Sequence, residues 1–367
     1  MKYRKVLTSL LCLLAILASG GSAGCAGQAS GAEAEHLWVY GESALIAAAA
    51  PGRLTLEGSD GEHTYEVTPG SGVQADQGLL LWQLQPGRYR FFWDGEPLYA
   101  GGLYLPEGYT LPRAEGRRHW QFAKDKQGLL ILKVTQAEEL PEGWYDVIVD
   151  AGHGGRDHGA EGGGYTEAEL NLDNALDLAE YLRELGLEVD LTRDTMQVPG
   201  GKRAEDDPYA EGARVELIYA SHAPYLLSCH LNASEAGAAE GFQIYCSVAA
   251  STAWAQAVAE ALRQAGAMEN NGGKGLVAHG VYQRRAEHGV GLRDYYFILR
   301  ETGGWALSPV RFPARRPELR QTLSAGAQGL LLEFAFMDNE TDLRRWLEQR
   351  ETQLAATAAA CAAYWQL

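Results

Sequence analysis

The sequence predicts an α/β fold, a mostly parallel sheet covered by helices on both faces, preceded by a smaller all-β region of sandwich or barrel type. Two changes of pattern carry that expectation. Before about residue 140, short apolar or alternating runs are divided by turn residues; after Trp144, apolar strand-like runs alternate with segments of helical spacing. Size agrees with it, because 367 residues with a 46% apolar fraction suffice for two ordinary domains with packed cores.

In chain order, residues 1–24 open with three basic residues, Lys2, Arg4 and Lys5, continue through an apolar run from Val6 to Ala18, and end in small residues ahead of Cys25. That order is an export signal. The run falls short of the roughly 20 residues a bilayer-spanning helix needs, so a permanent transmembrane anchor is the weaker reading. Ser22-Ala23-Gly24-Cys25 resembles the lipobox of bacterial lipoproteins, which implies lipidation at Cys25 and a membrane attachment through that anchor. Ser22 departs from the apolar residue usual there, and plain secretion with cleavage nearby is the alternative. Residues 25–35, rich in Gly, Ala and Ser, then form a short flexible tether.

Residues 36–140 carry the β-rich part. Leu54 to Glu57, His63 to Val67, Gly78 to Leu84, Tyr89 to Trp93 and Leu129 to Val134 read as strands, with breaks such as Gly58-Ser59-Asp60-Gly61 and Gln85-Pro86-Gly87. Helical spacing is confined to Ala44 to Ala50. Aromatic residues concentrate here, including Trp82, Tyr89, Phe91, Phe92, Trp93 and Trp120. They suit either a core or stacking on sugar rings, and no catalytic spacing accompanies them.

Residues 145–367 follow another rhythm. Asp146 to Asp150 reads as a strand ending in Gly152-His153-Gly154-Gly155, Glu167 to Leu185 as a helix with Gly186 at its C′ position, and Leu187 to Thr192 as a strand. Glu211 to Ala220 reads as helix, Tyr225 to Cys229 and Phe242 to Ser247 as strands, and Thr252 to Gln264 as helix. Gly329 to Glu333 is a strand closed by a carboxylate, and Glu340 to Ala363 is helical. Such alternation predicts parallel strands under helices on both sides.

Charge narrows the partners. The chain holds 31 basic and 48 acidic residues, a net −17 that becomes −20 once Lys2, Arg4 and Lys5 leave with the signal. Nucleic acid is thereby excluded as a partner, and broad adsorption to anionic surfaces is disfavoured. With Cys12 in the signal and Cys25 at the lipobox, only Cys229, Cys246 and Cys361 remain. No CxxC pair exists, so a structural zinc ribbon is excluded, and three cysteines make no disulfide framework.

Four groups can converge where strands end. His153 follows the first strand of the second region, His230 follows Leu226-Leu227-Ser228-Cys229, Glu167 begins a helix, and Glu333 closes an apolar strand. Sites in open α/β sheets form at those carboxyl ends. Two histidines and a carboxylate suit catalytic zinc with a coordination position left open. A further carboxylate, costly among apolar residues unless it has a task, can serve as acid and base. Each residue alone also has a plainer reading: His153 as a loop residue, Glu167 as a helix N-terminal charge, Asp150 as a strand end rather than an acceptor for a ligand imidazole. The pattern by itself stops at a zinc hydrolase.

The blocks that carry more are Val147-Ile148-Val149-Asp150-Ala151-Gly152-His153-Gly154-Gly155, Glu167-Ala168-Glu169-Leu170-Asn171-Leu172, Leu191-Thr192-Arg193-Asp194, Arg214, Leu227-Ser228-Cys229-His230-Leu231-Asn232, Gly241-Phe242-Gln243-Ile244-Tyr245 and Leu331-Leu332-Glu333-Phe334. In order and spacing they resemble the zinc-dependent type 3 family of N-acetylmuramoyl-L-alanine amidases, from about residue 145 to the C-terminus. The resemblance implies that His153, Glu167 and His230 bind Zn2+ and that Glu333 is the catalytic acid and base. It also implies peptidoglycan as the substrate, cut between muramic acid and the first stem residue. Asp150, Arg193, Arg214 and Asn232 are candidates to support these groups or touch substrate. Departures include Ala151 for the usual Pro, Leu231 for Ala and Ala168 for Lys. Between Thr302 and Gly329 the chain inserts a basic segment with Trp305, Arg311, Arg315, Arg316 and Arg320, either a gate or a surface loop. Two rivals stay open: another zinc amide hydrolase of the cell wall, and a wall-binding or regulatory lipoprotein that has lost activity. The oligomeric state is not legible.

Overall fold

The fold was analysed on a computed structural model, which describes residues 37–40, 43–46, 52–67, 79–80, 85–99, 111–113, 118–136, 139–208, 210–234, 237–248, 250, 252–286, 294–302, 305–306 and 327–365. Residues 1–36, with the export signal, Cys25 and the tether, lie outside them, as do Trp82 and most of the basic insertion.

The strands before residue 140 pair antiparallel. β1 (Leu37–Tyr40), β2 (Ser43–Ile46) and β5 (Leu79–Leu80) join in one sheet, and β3 (Gly52–Gly58), β4 (Gly61–Val67), β6 (Gly87–Trp93), β7 (Glu96–Pro97), β8 (Leu111–Arg113), β9 (Arg118–Lys124) and β10 (Leu130–Gln136) form another. Leu54, Leu56, Tyr89, Phe91, Leu130 and Leu132 are buried, so Tyr89 and Phe91 are core residues and not a sugar platform. The Tyr89 hydroxyl donates to Asp60 Oδ2 at 2.6 Å, which satisfies its buried polar end. The helix expected from Ala44 is a strand as far as Ile46. Ala44 pairs with Val39 on one side and Leu79 on the other, so two-sided backbone pairing overrides the helix propensity of alanine; residues 47–50 lie outside the described residues.

After residue 140 one seven-stranded sheet organises the chain. Its members are β11 (Val147–Ala151), β14 (Val189–Leu191), β15 (Tyr225–Asn232), β16 (Gln243–Cys246), β17 (Leu276–Ala278), β18 (Val281–Tyr282) and β20 (Gln328–Phe336), in the order β14-β11-β15-β20-β16-β18-β17. The pairs β11–β14, β11–β15, β15–β20 and β16–β18 are parallel; β16–β20 and β17–β18 are antiparallel. A small hairpin of β12 (Glu161–Gly162) and β13 (Tyr165–Thr166) precedes the first helix, and β19 (Trp305–Ala306) pairs with β1.

Helices cover both faces because β11 and β15 are apolar at nearly every position. Val147, Val149, Leu227, Leu330 and Leu332 pack against α1 (Glu167–Glu184), α4 (Ala253–Gln264) and α6 (Glu340–Trp365). Ile148, Leu226, Leu331 and Tyr245 face α3 (Arg214–Ala220) and α5 (Phe297–Thr302) on the other side; α2 (Gly201–Asp206) is a single short turn beside them in sequence. α1 starts on a reciprocal cap in which Thr166 Oγ1 accepts from the Glu169 amide and the Glu169 carboxylate accepts from the Thr166 amide. It stops at Gly186, whose φ of 87° only glycine adopts without strain.

The chain leaves β11, pairs β14 on one side and returns to pair β15 on the other, so the direction of winding reverses between β11 and β15. A crevice opens at the carboxyl ends of strands at such a point. Two strands also run further than their apolar cores foretell. β15 continues through His230 to Asn232, and β20 continues through Glu333 to Phe336, so Glu333 lies within its strand and does not close it. Between His230 and Asn232 the pairing slips by one residue, a bulge whose extra residue lies in β20 just after Glu333.

Under the first face, Trp254 is fully buried against Tyr225 and Trp365, with ring centroids 5.3 Å away in both cases. Trp254→Ala is expected to cost about 3–5 kcal/mol in denaturant unfolding of the purified chain; a loss below about 1 kcal/mol would mean that this face is not packed as described.

Candidate active site

Glu167 stands at the first position of α1 and sends its carboxylate back over the end of β11. Its Oε1 lies 3.1 Å from His153 Nε2 and 3.0 Å from His230 Nδ1. The three donor atoms fall within 4.8 Å of one another. Tetrahedral bonds of about 2.0–2.1 Å to nitrogen and oxygen would set such atoms about 3.3 Å apart, so the cluster has the size and the donor chemistry of a zinc site. The other carboxylate oxygen accepts from the Ala160 amide at 2.9 Å, and Oε1 also receives the Asn171 side chain at 3.2 Å.

Glycine makes the approach possible. A Cβ on Gly152 would collide with the His230 ring, and one on Gly159, where φ is +68°, would lie 2.5 Å from Glu167 Oε2 and 2.9 Å from His153 Cδ2. His153 itself holds φ at 59°, a left-handed conformation that costs a residue with a Cβ. Neighbouring groups hold it there: Asp157 Oδ2 meets His153 Nδ1 at 2.8 Å, which leaves Nε2 for the cluster.

Two arginines strap the loop to the sheet. Arg193 donates to the carbonyls of Ala151, Gly152 and Ala168 at 2.8–3.0 Å, and Arg214 donates to those of Ala151 and His153 at 2.8 Å. Burial of Arg193 lowers its pKa to about 10, with the nearby Arg214 charge acting in the same direction. Asp150, fully buried beneath the loop, balances them. Arg214 Nε lies 2.5 Å from it, and Thr192 and Ser228 each donate a hydroxyl at 2.6 Å. Burial alone would raise the Asp150 pKa; Arg214 and the two hydroxyls outweigh it and hold the carboxyl below its ordinary range.

Glu333 is next to His230 in the β15–β20 register and is buried, and its Oε2 has no hydrogen-bond partner among the described residues. Burial pushes its pKa up to about 7; the histidines pull it down and Glu167 adds to the rise. A lone carboxylate in such surroundings is costly and is kept only with a task or a bound cation nearby. In the chain alone, His153 is held at about 9, since Glu167 and Asp157 outweigh the opposing effect of burial, and Glu167 is held well below the carboxylate range by both histidines despite its burial.

The structure thus brings His153, Glu167, His230 and Glu333 together and places Asp150, Arg193 and Arg214 beneath them. Asn232 stands aside: it donates to Gln243 Oε1 at 2.7 Å, in a chain that runs on from Gln243 to Asn270. Sequence reasoning passed over Asp157, Asn171 and Gln243 as site residues. Asn171 was signalled by its spacing of one helical turn from Glu167, and Asp157 by its spacing from His153 in a glycine-rich turn. Gln243 gave no signal, since only the antiparallel pairing of β16 sets it opposite Glu333. The insertion after Thr302 is rooted away from this crevice. Ala327 donates to the Thr302 carbonyl and Gln328 to that of Pro224, both at the amino ends of their strands; residues 307–326 lie outside the described residues.

An open α/β sheet with a cation-sized cluster of two imidazoles and a carboxylate at its switch point describes a class of protein. Residues 147–363, more than half of the chain, match the family model described as N-acetylmuramoyl-L-alanine amidase, and the chain belongs to that family, the type 3 amidases. It is 35% identical over 149 residues to the germination-specific N-acetylmuramoyl-L-alanine amidase of Bacillus subtilis (strain 168), covering 39% of this chain and 62% of that one. It is 30% identical over 113 residues to N-acetylmuramoyl-L-alanine amidase LytC of the same organism, covering 31% and 21%. The chain therefore spans less than two thirds of the length of these relatives. Among solved structures, N-acetylmuramoyl-L-alanine amidase AmiC2 of Nostoc punctiforme aligns over 60% of this chain and 97% of its own, with 22% identity and a TM-score of 0.41.

Asp150→Asn removes one half of a buried ion pair and is expected to cost about 3–5 kcal/mol at pH 7. A depressed carboxyl stabilises the fold above its unfolded pKa, near 3.8, and that contribution is lost as pH falls through the lower folded value. Unfolding curves of wild type and variant should therefore converge on acidification below about pH 4; a gap that stays constant would contradict the assigned charge balance.

Proposed function

We propose that this chain is a zinc-dependent peptidoglycan hydrolase that cleaves the amide between N-acetylmuramic acid and the L-alanine of the stem peptide. The observation that carries the reading is the Glu167 carboxylate shared between two imidazoles beside a buried Glu333 whose Oε2 has no partner among the described residues. Membership of the amidase family supplies the substrate class.

His153, Glu167 and His230 would hold the metal, His153 through Nε2 and His230 through Nδ1. Zinc bound there supplies a Lewis acid that polarises the scissile carbonyl and makes water acidic enough to lose a proton near neutral pH. Glu333 takes that proton at its free Oε2 and passes it to the departing amine nitrogen, for which a carboxyl raised by burial is suited. Asp157 fixes the tautomer of His153, and Asn171 together with the Ala160 amide fixes the Glu167 carboxylate. Arg193 and Arg214 keep the Ala151–Gly152–His153 backbone from moving away from β15. The export signal would direct the chain across a membrane, and a lipid on Cys25 would then hold the enzyme at its outer face, facing the wall.

The test is to incubate purified peptidoglycan with the mature chain, with and without a chelator, and identify the new ends. Free L-alanine amino termini on intact glycans, lost with chelator and restored by zinc, are expected. Cuts inside the peptide or released acetate would point to another hydrolase, and binding without product would point to a wall-binding role. Glu333→Gln should retain zinc and lose about 10²–10⁴-fold in kcat; substantial residual turnover would remove Glu333 from its role.

A further inference from the structure

Arg284 follows β18, two residues beyond Tyr282, and lies half-buried with its guanidinium carbon 3.5 Å from the centre of the Tyr295 ring. Among the described residues it makes no side-chain hydrogen bond and no ion pair. That is unusual in a chain with 48 acidic residues against 31 basic ones, where most partly covered arginines have a counter-charge: Arg214 has Asp150, Arg263 has Glu260 and Glu269, Arg300 has Glu301. A guanidinium that is partly desolvated and stacked but unpaired retains its unused donors for a ligand.

A wall of aromatic rings runs from Arg284 toward the strand pair that carries Glu333. Tyr295 packs on Tyr296 with centroids 5.3 Å apart, and Tyr296 on Tyr245 at 4.5 Å, so three phenol rings form a continuous wall. Tyr245 lies two residues along β16 from Gln243, which pairs with Glu333. Burial raises both the Tyr245 and Tyr296 phenols; Glu333 adds to the rise in each, and Arg284 opposes it in each.

The backbone of Arg284 and the ring it stacks on are also held in place before any ligand arrives. The Tyr295 amide donates to the Arg284 carbonyl at 2.9 Å. The neighbouring Asp294 carboxylate accepts from Ser247 Oγ and the Val248 amide, both at 2.7 Å, and Arg300 donates to the carbonyls of Asp294 and Tyr295. Little ordering remains to be done on binding.

We infer that Arg284 is a specificity residue that receives a free carboxylate of the stem peptide while the scissile amide lies at Glu333. This rests on the peptidoglycan reading above, since it names which part of that substrate the aromatic wall sorts. A planar guanidinium pairs two-pronged with a carboxylate, and amidation of that carboxylate removes both the charge and one acceptor. Stem peptides that differ only in amidation would then be distinguished by this side chain.

The experiment compares the full chain with Arg284→Gln and Arg284→Lys on synthetic muramyl peptides whose stem carboxylates are amidated one at a time. In the wild type, one of these amidations should lower kcat/KM on the order of 10- to 100-fold, mainly through KM. In Arg284→Gln that ratio should collapse toward one, while Arg284→Lys should keep part of it; a purely structural arginine would change stability and leave the ratio unmoved. Calorimetric titration of the free stem peptides reads the same preference without bond cleavage. Discrimination in binding with no hydrolysis would count against the amidase reading alone. Equal response of wild type and Arg284→Gln to every amidation, in both turnover and binding, would overturn the assignment of Arg284.

Discussion

One carboxylate oxygen, Glu167 Oε1, sits between His153 Nε2 and His230 Nδ1 at 3.1 and 3.0 Å, and most of the second region is arranged to keep it there. The three residues come from a loop, a helix N-terminus and a strand that are far apart in sequence. What brings them together is the reversal of winding between β11 and β15, which places the loop after one strand over the end of the other. Without glycine at 152 and 159 the imidazoles and the carboxylate would be forced apart. Without the straps from Arg193 and Arg214, the loop would have no reason to hold His153 in a left-handed conformation.

Such a cluster is expensive to bury, and the costs are balanced locally. Asp150 answers two arginines, Asp157 answers His153, and Glu167 is met by an amide, an asparagine and both histidines. Among these carboxylates Glu333 is the exception, with an oxygen that has no partner among the described residues. The contrast separates the carboxylates that hold geometry, which are met by partners, from the one that the proposed function makes the proton carrier. It also sets the site apart from the apolar faces on either side, where α1, α4 and α6 cover one side of the sheet and α3 and α5 the other.

Much of this was legible in the sequence because strands β11, β15 and β20 are nearly continuous apolar runs, which mark fully covered parallel strands, and because glycine-rich turns follow them. The pairing of His153, Glu167, His230 and Glu333 followed from the rule that sites form at strand ends. The exact limits did not follow. His230 and Glu333 lie inside their strands, since pairing with a neighbouring strand extends a ladder past the last apolar residue. Gln243 and Asn232 meet only through the antiparallel placement of β16, a tertiary fact with no local signature. Ala44 was drawn toward helix by the spacing of its segment and is held as strand by neighbours on both sides. Arg284 could not be singled out either, because lacking a counter-ion among the described residues is a property of three-dimensional surroundings and not of sequence.

X-ray absorption at the zinc edge, on the full chain loaded with one equivalent of zinc, tests the central claim most directly. The account predicts a four-coordinate shell of two imidazole nitrogens and light oxygen atoms at about 2.0–2.1 Å, unchanged when Cys229 is replaced by Ser. A shell that contains sulfur at about 2.3 Å, a shell without imidazole scattering, or failure of the chain to retain the metal would contradict it.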